Sequence, residues 1–242
     1  MFDLTGKKAL VTGSTQGIGR AIAATLVRAG AEVFVHCSAD KEKADRIAAE
    51  IGAAHAVAAD LSFENAADVL FLQTGPVDIL VTNASVQYRR PWNEIGDEEF
   101  CTQVQVNLKS TLDLMQIYAE DMKKKGWGRI LTIGSVQQTK PHKDMAVYAA
   151  TKCAVMSLVQ NVGKQLAPYG VTVNNLSPGV IATPRNDAAL SDPEYRARVL
   201  AGIPAGFAGK AEDCAGGALL LCADEGRYIT GTDLVIDGGM HL

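Results

Sequence analysis

Residues 8–19 of the chain, Lys-Ala-Leu-Val-Thr-Gly-Ser-Thr-Gln-Gly-Ile-Gly, are an apolar run that ends in a glycine-rich turn. The run from Lys8 to Thr12 is typical of a buried β-strand, and the segment from Ile18 to Ala29 has the apolar spacing of a helix. A strand that enters a helix through glycines directs backbone N–H groups toward the positive end of that helix, where a phosphate can bind. The stretch therefore predicts a strand, a turn and a helix around a pyrophosphate.

The rest of the chain repeats this alternation of short β-rich runs and longer helical patterns. The predicted strands are residues 8–12, 32–37, 55–59, 78–82, 129–133, 171–174 and 234–236, and the main predicted helices are 18–29, 41–51, 97–124, 148–167 and 213–223. Such alternation favours right-handed parallel crossovers, and nearly continuous apolar strands indicate helices on both faces. We predict a single-domain Rossmann-like α/β fold over residues 1–242, with a doubly wound parallel sheet of seven strands.

Two segments break the alternation. Between Asp60 and Asp78 only a short helix fits, and residues 184–209 contain Pro193, Pro204 and several small residues with weak periodicity. Loops beyond the carboxyl ends of the strands carry ligand sites in sheets of this kind. We predict that residues 184–209 form a substrate lid, and the alternative is an irregular surface excursion.

Composition narrows the classes of function. The chain has 242 residues, a formal net charge of −4 and no basic stripe, which argues against nucleic acid or an anionic membrane as partner. Its five cysteines are scattered without a Cys-x-x-Cys pair, so we expect reduced thiols and no metal site. The chain shows neither a targeting signal at its start nor an apolar stretch of membrane-spanning length. We expect a cytoplasmic protein.

A tyrosine and a lysine lie four residues apart, and a serine precedes the tyrosine by thirteen residues at the end of a predicted strand. Helical spacing places Tyr148 and Lys152 on one face, where the ammonium group can lower the pKa of the phenol toward neutrality. Such a phenol can exchange a proton with an oxygen that Ser135 holds by a hydrogen bond. Taken singly, a tyrosine or lysine on a helix is usually a packing or surface residue, so it is the combination with the glycine turn that predicts an oxidoreductase.

These features together resemble the short-chain dehydrogenase/reductase family. The resemblance is carried by the turn at residues 12–19, by Ser135, Tyr148 and Lys152, and by the pair Pro178-Gly179 after a late strand. It covers essentially the whole chain, and its further matches are Asp60-Leu61, Asn83-Ala84, Asn107 and the tail segments 228–231 and 237–239.

The resemblance implies NAD(P)(H) as cofactor, proton transfer by Tyr148, and Asn107 holding a water on a proton path to Lys152. The implied cofactor-binding residues are Gly13, Ser14, Thr15, Gln16, Gly17, Ile18, Gly19, His36, Ser38, Asp60, Leu61, Asn83, Ala84, Tyr148, Lys152, Pro178, Gly179, Ile181 and Thr183. Structural alternatives exist for four of these positions: Asp60 or Thr183 could cap a helix, Asn83 could satisfy a strand end, and Asn107 could be a packing amide.

The chain departs from the family pattern where the fourth predicted strand ends. Relatives typically have Asn-Asn-Ala-Gly there, whereas this chain has Thr82 to Ser85. Glycine tolerates a positive φ and serine does not, so Ser85 predicts either local strain or an altered backbone.

Selectivity between NAD and NADP is expected at the end of the second predicted strand. An acidic residue there would bond the ribose hydroxyls and repel a 2′-phosphate, but Cys37 occupies its position. Ser38 and a nearby Lys41 or Lys43 could meet the phosphate, although Gln16 stands where many NADP-dependent relatives carry a basic residue. The sequence favours NADP by a small margin.

The predicted activity is the interconversion of a secondary alcohol and a ketone. Arg89, Arg90, Lys140 and Arg185 lie in loops that should border the site, which favours a small polar sugar, polyol or sugar acid as substrate. A 3-oxoacyl thioester of acyl carrier protein is the alternative substrate. A non-catalytic dinucleotide-binding regulator is the second alternative, although the intact Ser135, Tyr148 and Lys152 argue against it.

Assembly is also expected. The predicted helices 97–124 and 148–167 carry wide apolar faces, which could be buried either within the monomer or between subunits. In the family such helices form subunit contacts, so the resemblance implies a homotetramer or a homodimer.

Overall fold

A parallel sheet of seven strands forms the centre of the protein. The structure, a computed structural model, describes residues 1–187 and 190–242 in full. The sheet consists of β1 (Lys8–Val11), β2 (Glu32–Cys37), β3 (His55–Ala58), β4 (Ile79–Thr82), β5 (Gly128–Ile133), β6 (Val171–Pro178) and β9 (Asp233–Ile236), and two short strands, β7 (Ile181–Ala182) and β8 (Gly209–Lys210), pair separately. The strand order 3-2-1-4-5-6-9 reverses between β1 and β4, which confirms the predicted doubly wound Rossmann-like fold.

Helices cover both faces of the sheet. They are α1 (Gly17–Arg28), α2 (Lys41–Ile51), α3 (Ala66–Thr74), α4 (Asp97–Val104), α5 (Ser110–Lys125), α6 (Ala146–Leu166), α7 (Pro184–Leu190), α8 (Pro193–Ala201) and α9 (Ala211–Cys222). Strand residues alternate between the layers, so that Leu10 packs in one core with Leu114 and Val159, whereas Val11 packs in the other with Ile22 and Leu221. Among the described residues, no helix is long and apolar enough to cross a membrane.

Two predicted elements differ from the structure by more than a shift of one or two residues at an end. The predicted helix 97–124 is interrupted by a π-helical turn at Gln105–Lys109, which separates α4 from α5. Strand β6 runs to Pro178 instead of ending at Asn174, because the polar side chains beyond that point find partners. The amide of Asn175, for example, donates to the Asp233 carboxylate at 2.7 Å.

The predicted lid contains more regular structure than its weak periodicity suggested. Residues 184–209 include α7, α8 and the first residue of β8, which pairs with β7. Residues 188 and 189 of this segment lie outside the described residues. The segment follows the carboxyl end of β6, so it lies at the edge of the sheet where the glycine turn also lies.

Candidate active site

The turn between β1 and α1 is held in place from two sides. Gly13 has φ +61°, and a Cβ on it would come within 2.9 Å of the Ala84 Cα, so the position requires glycine both for its conformation and for the close approach of β4. A Cβ on Gly19 would lie 2.6 Å from the Gly13 carbonyl oxygen. The helix therefore begins directly against the strand ends, which gives the predicted succession of strand, turn and helix.

The first turn of α1 offers backbone donors to the cavity. Helix α1 begins at Gly17, and the side chain of Gln16 before it accepts from the Lys43 ammonium at 3.5 Å instead of capping the helix. Gly17, Ile18 and Gly19 line the cavity. Because the N–H groups of a first helical turn have no intrahelical acceptor, this turn is suited to an anionic ligand.

His36 holds the turn from the second strand. Its Nδ1 accepts from the Gly13 N–H at 2.9 Å, and its Nε2–H donates to the Ala59 carbonyl at 2.9 Å. Burial lowers the pKa of His36 to about 4, so the ring is neutral and has the tautomer that both bonds require. Although His36 lines the cavity, its ring nitrogens are engaged by the protein itself.

Asn83 joins the ends of β1 and β4. Its side-chain amide donates to the carbonyls of Thr12 and Gly13 at 2.9 and 3.0 Å, and its backbone N–H donates to the Thr12 hydroxyl at 3.0 Å. Ser14 is fully buried, and its hydroxyl donates to the Val11 carbonyl at 2.7 Å. The polar groups of Asn83 and Ser14 therefore shape the turn.

The predicted acid/base residues meet at the carboxyl end of β5. The Lys152 ammonium donates to the Ile133 carbonyl at 2.7 Å and lies 5.6 Å from the centre of the Tyr148 ring. The Ser135 hydroxyl accepts from the Gln137 N–H at 3.2 Å, and its influence on the phenol opposes the burial-driven rise in the Tyr148 pKa. Sequence reasoning thus identified three residues that the fold brings together from β5 and α6.

The electrostatics of the pair differ from the sequence-based expectation. Burial raises the pKa of Tyr148, and the groups that oppose this increase are Arg185 and Ser135, not Lys152. Burial and the charge of Arg185 lower the pKa of Lys152 to about 7. Burial therefore acts against the expected lowering of the phenol pKa, and the part that Lys152 plays in that lowering stays a prediction.

The π-helical turn aims Asn107 at the loop after β4. The Asn107 side chain accepts from the Val86 N–H at 2.9 Å, donates to the Val86 carbonyl at 2.9 Å, and donates to the Thr151 hydroxyl at 3.3 Å. Thr151 directly precedes Lys152, so Asn107 braces α6 against this loop.

One cavity of about 870 Å³ connects the glycine turn to Tyr148. Of the predicted site residues, Ser14 and Asn107 do not line its described wall, whereas the following do: Gly13, Thr15, Gln16, Gly17, Ile18, Gly19, His36, Ser38, Asp60, Leu61, Asn83, Ala84, Ser135, Tyr148, Lys152, Pro178, Gly179, Ile181 and Thr183.

Two of the alternative capping roles can be compared with the structure. The Asp60 carboxylate accepts from the Ser62 N–H at 2.9 Å and so closes a turn before α3. Thr183 precedes α7, but its hydroxyl faces the Ile181 carbonyl at 3.5 Å instead of the first turn of that helix. Asp60 therefore has a local structural role besides its place in the cavity wall.

The loop arginines divide into two groups. Arg89 and Arg185 line the cavity, whereas Arg90 pairs with Glu99 at 2.9 Å. The Lys140 ammonium donates to the Met240 carbonyl at 2.6 Å, so it fastens the chain terminus to the loop after β5.

Ser85 contacts the lid directly. Among the described residues, Phe2 is the one non-glycine residue with a positive φ, so the strain considered for Ser85 is absent. Its hydroxyl accepts from Arg185 Nη1 at 3.0 Å, and its carbonyl accepts from Arg185 Nη2 at 2.7 Å. The serine that replaces the family's glycine therefore joins the end of β4 to α7, a contact across 100 positions that local sequence patterns do not reveal.

Sequence reasoning also missed the support behind Ser135. The Gln138 side chain accepts from the Ser135 N–H at 3.1 Å and donates to Asp233 at 3.2 Å. Ser135 and Gln138 form a capping box around a short 3-10 turn. The pattern Ser-x-x-Gln at 135–138 is a recognised signal for that motif and could have identified Gln138.

The residues of this cavity fit a nicotinamide dinucleotide. The glycine turn and the first turn of α1 offer backbone donors for a pyrophosphate, while Ser38 and Asp60 line one end and Tyr148 lines the other. A Cβ on Gly17 would meet nothing closer than Thr183 at 3.4 Å, which leaves the backbone accessible there. The fold and site define a dinucleotide-dependent oxidoreductase.

Comparison with known proteins shows the family. A family model described as "Enoyl-(Acyl carrier protein) reductase" matches residues 13–241. The chain is 38% identical over 246 residues to the 3-oxoacyl-(acyl-carrier-protein) reductase FabG of Escherichia coli, with 100% of each chain covered. It is 34% identical to the L-rhamnose 1-dehydrogenase (NAD(P)(+)) of Azotobacter vinelandii, over 99% of this chain and 98% of that protein.

The fold of a solved structure shows the same relationship. The gluconate 5-dehydrogenase of Burkholderia cenocepacia, in complex with NADP and tartrate, superposes with a TM-score of 0.91 at 33% identity, over 99% of this chain and 96% of that one. The chain belongs to the short-chain dehydrogenase/reductase family, and it is an NAD(P)-dependent oxidoreductase that acts on CH–OH or keto groups.

Proposed function

We propose that the protein interconverts a secondary alcohol and a ketone on a small polyhydroxylated substrate, a sugar, polyol or sugar acid. One observation carries the proposal: Ser135, Tyr148 and Lys152 share one cavity with the glycine turn, and Arg89, Arg185, Asn186 and Tyr195 line its wall near the lid. Polar groups that converge on a reacting centre favour a substrate with several hydroxyl groups. The similarity to a gluconate and a rhamnose dehydrogenase supports the same class.

The proton chemistry follows from the contacts of Tyr148. Burial raises the pKa of the phenol and keeps its proton available for a carbonyl oxygen, while the Ser135 hydroxyl and the charge of Arg185 oppose that increase and stabilise the phenolate after transfer. When bound, the nicotinamide cofactor supplies or accepts the hydride. Ser135 would hold the reacting oxygen beside the phenol, since its backbone is fixed by Gln138.

Lys152 and Asn107 would support this step. With its ammonium held by the Ile133 carbonyl and its pKa lowered to about 7, Lys152 can take up and release a proton near neutral pH. Asn107 fixes the backbone of Val86 and the hydroxyl of Thr151 on either side of the centre. We propose that Lys152 relays protons between Tyr148 and solvent and that Asn107 holds a water on this path.

The cofactor is proposed to be NADP(H). Lys43 and Ser38 line the cavity at the end of β2. An acidic residue at the position of Cys37 would repel a 2′-phosphate, and the cysteine carries no such charge. The Lys43 ammonium also contacts Gln16, so it supplies the positive charge that the glutamine lacks. The Asp40 carboxylate beside it accepts from the Lys43 N–H at 2.8 Å and serves as the N-cap of α2.

We also propose that residues 1–242 form one catalytic domain in which residues 184–209 close over the substrate. The single central sheet supports this division.

We propose a cytoplasmic location for the protein. Its five cysteines are free, which accords with a reducing environment. The exposed aromatic side chain of Phe100, which belongs to α4, supports assembly into a homotetramer or homodimer.

A 3-oxoacyl thioester is the second candidate substrate, favoured by the 38% identity to a 3-oxoacyl-(acyl-carrier-protein) reductase over its whole length. The test follows the absorbance of the reduced cofactor with purified wild-type protein and with Tyr148→Phe. Polyols and sugar acids are supplied with NADP⁺ or NAD⁺, so that turnover forms NADPH or NADH, and 3-oxoacyl thioesters are supplied with NADPH or NADH, so that turnover consumes it. Turnover of hydroxylated substrates that the variant loses by about 1,000-fold or more, with cofactor affinity retained, supports the proposal. Turnover of thioesters alone would refute it.

A further inference from the structure

Arg185 crosses from the lid to the end of β4. It lies in the first turn of α7, and its guanidinium donates to both the hydroxyl and the carbonyl of Ser85, at 3.0 and 2.7 Å. A guanidinium has five N–H groups in one plane, so two bonds to Ser85 orient the group and leave others for a ligand. The side chain is solvent-accessible and lines the cavity, where a substrate can reach it.

The same guanidinium lies close to the reacting groups. Arg185 lines the same cavity as Ser135 and Tyr148. Its positive charge opposes the burial-driven rise in the pKa of Tyr148 and adds to the burial-driven fall in the pKa of Lys152. A substrate whose reacting oxygen lies at Ser135 and Tyr148 therefore has its neighbouring carbon atoms within reach of Arg185. The guanidinium can contact a group next to the reacting carbon.

The charges of the cavity wall are unevenly distributed. Arg89, Arg185 and Arg198 line the part near the lid. In the same wall, burial lowers the pKa of His142, and the charge of Arg89 adds to this fall. The carboxylates that line the described cavity, Asp40 and Asp60, follow β2 and β3 at the opposite end. A neutral polyol would gain little from three guanidinium groups, whereas a carboxylate gains charge-assisted, paired hydrogen bonds.

We propose that Arg185, oriented by Ser85, is the anchor for a substrate carboxylate, so that the preferred substrate is a polyhydroxylated monocarboxylate with its reacting hydroxyl a few atoms from the acid group. This inference rests on the proposed function and narrows it to the anionic member of the class. It also assigns a role to Ser85, because the glycine usual at that position has no hydroxyl to hold the guanidinium.

The test uses two probes that differ at one carbon. D-Gluconate carries a carboxylate where D-sorbitol carries a hydroxymethyl group, and both are measured with NADP⁺ on the wild type, Arg185→Gln, Arg185→Lys and Ser85→Ala. Arg90→Gln is the matched control, because Arg90 lies in the loop after β4 but pairs with Glu99 away from the cavity. Calorimetric titration of the protein–NADP⁺ complex with each probe gives binding independently of turnover.

The expected result is a loss of about 10- to 100-fold in affinity and in kcat/KM for D-gluconate in Arg185→Gln, with D-sorbitol unchanged. Ser85→Ala should lose part of the same selectivity, and Arg185→Lys should recover the charge but not the paired geometry. The pH profile gives a second readout. Because the charge of Arg185 lowers the pKa of Lys152, Arg185→Gln should shift the ionisation near pH 7 toward alkaline values, whereas Arg185→Lys should not.

Several outcomes would contradict the proposed role of Arg185. Three results would each contradict the carboxylate contact of Arg185 without contradicting the proposed function. They are equal losses for the two probes, an effect confined to the KM for NADP⁺, and wild-type protein that binds D-sorbitol but not D-gluconate. If instead neither probe binds while a 3-oxoacyl thioester of N-acetylcysteamine is reduced in a Tyr148-dependent way, the proposed function itself fails and this inference fails with it.

Discussion

Acidification should loosen the cofactor turn through His36. The ring is buried and neutral, with a pKa of about 4 in place of the ordinary 6.5, and it bridges the Gly13 N–H and the Ala59 carbonyl. Because the folded-state pKa is depressed, the neutral ring keeps the fold at full stability above pH 6.5, and stability is lost as the pH falls from 6.5 toward 4. The slope is about 1.4 kcal/mol per pH unit, and the loss is about 2 kcal/mol at pH 5 and about 3 kcal/mol at pH 4.

The measurement is urea unfolding followed by tryptophan fluorescence between pH 7.5 and 4.5 at one protein concentration. His36→Asn keeps an acceptor for the Gly13 N–H but cannot ionise, so its stability should be lower at neutral pH and depend less on pH than that of the wild type. The control is His55→Gln, because His55 lies half-exposed beside Glu32 at the outer strand. If the wild type and His36→Asn lose stability equally between pH 7 and 5, His36 does not control the turn.

Three further predictions concern the site. Gly13→Ala should lower the free energy of unfolding by about 1–2 kcal/mol or more and weaken cofactor binding, because φ is +61° and the new Cβ meets Ala84; cofactor titration and urea unfolding check this. Asn107→Ala should cost about 2–4 kcal/mol, because it removes both partners of the Val86 backbone; unfolding that matches the wild type would contradict the bracing role. Lys43→Gln should raise the KM for NADP about 5-fold and leave that for NAD unchanged; parallel changes would refute a 2′-phosphate contact.

The parts of the fold that follow from local periodicity were predictable from sequence. Apolar strands such as 78–82 and the glycines of the first turn are local signals, and the sheet built from them is the expected doubly wound sheet of seven strands. The continuation of β6 to Pro178 was not predictable in this way, since Asn174 and Asn175 resemble a strand end until their distant partners are known. Those partners include the Ile229 carbonyl and the Asp233 carboxylate.

In the site, too, the features that depend on local spacing could be predicted and those that depend on distant contacts could not. Ser135, Tyr148 and Lys152 could be predicted because their spacing relative to a strand and a helix is local, whereas the contact of Arg185 with Ser85 depends on how the lid folds back. The directions in which the pKa values of Tyr148 and Lys152 are shifted were the hardest to predict from sequence, because they depend on burial. A helical lysine in solution is a cation, but one that is 4% exposed beside Arg185 has its pKa lowered to about 7.

The most direct test of the central claim follows a labelled hydride to its product. The protein is incubated with NADPH deuterated at the transferable position and with a polyhydroxylated ketone, such as 5-keto-D-gluconate, and the alcohol is analysed by mass spectrometry for wild type and Tyr148→Phe. The account predicts one deuterium in the product alcohol of the wild type, and a product yield at least about 1,000-fold lower for the variant although it still binds NADPH. Deuterated product at an equal rate from both proteins would contradict it.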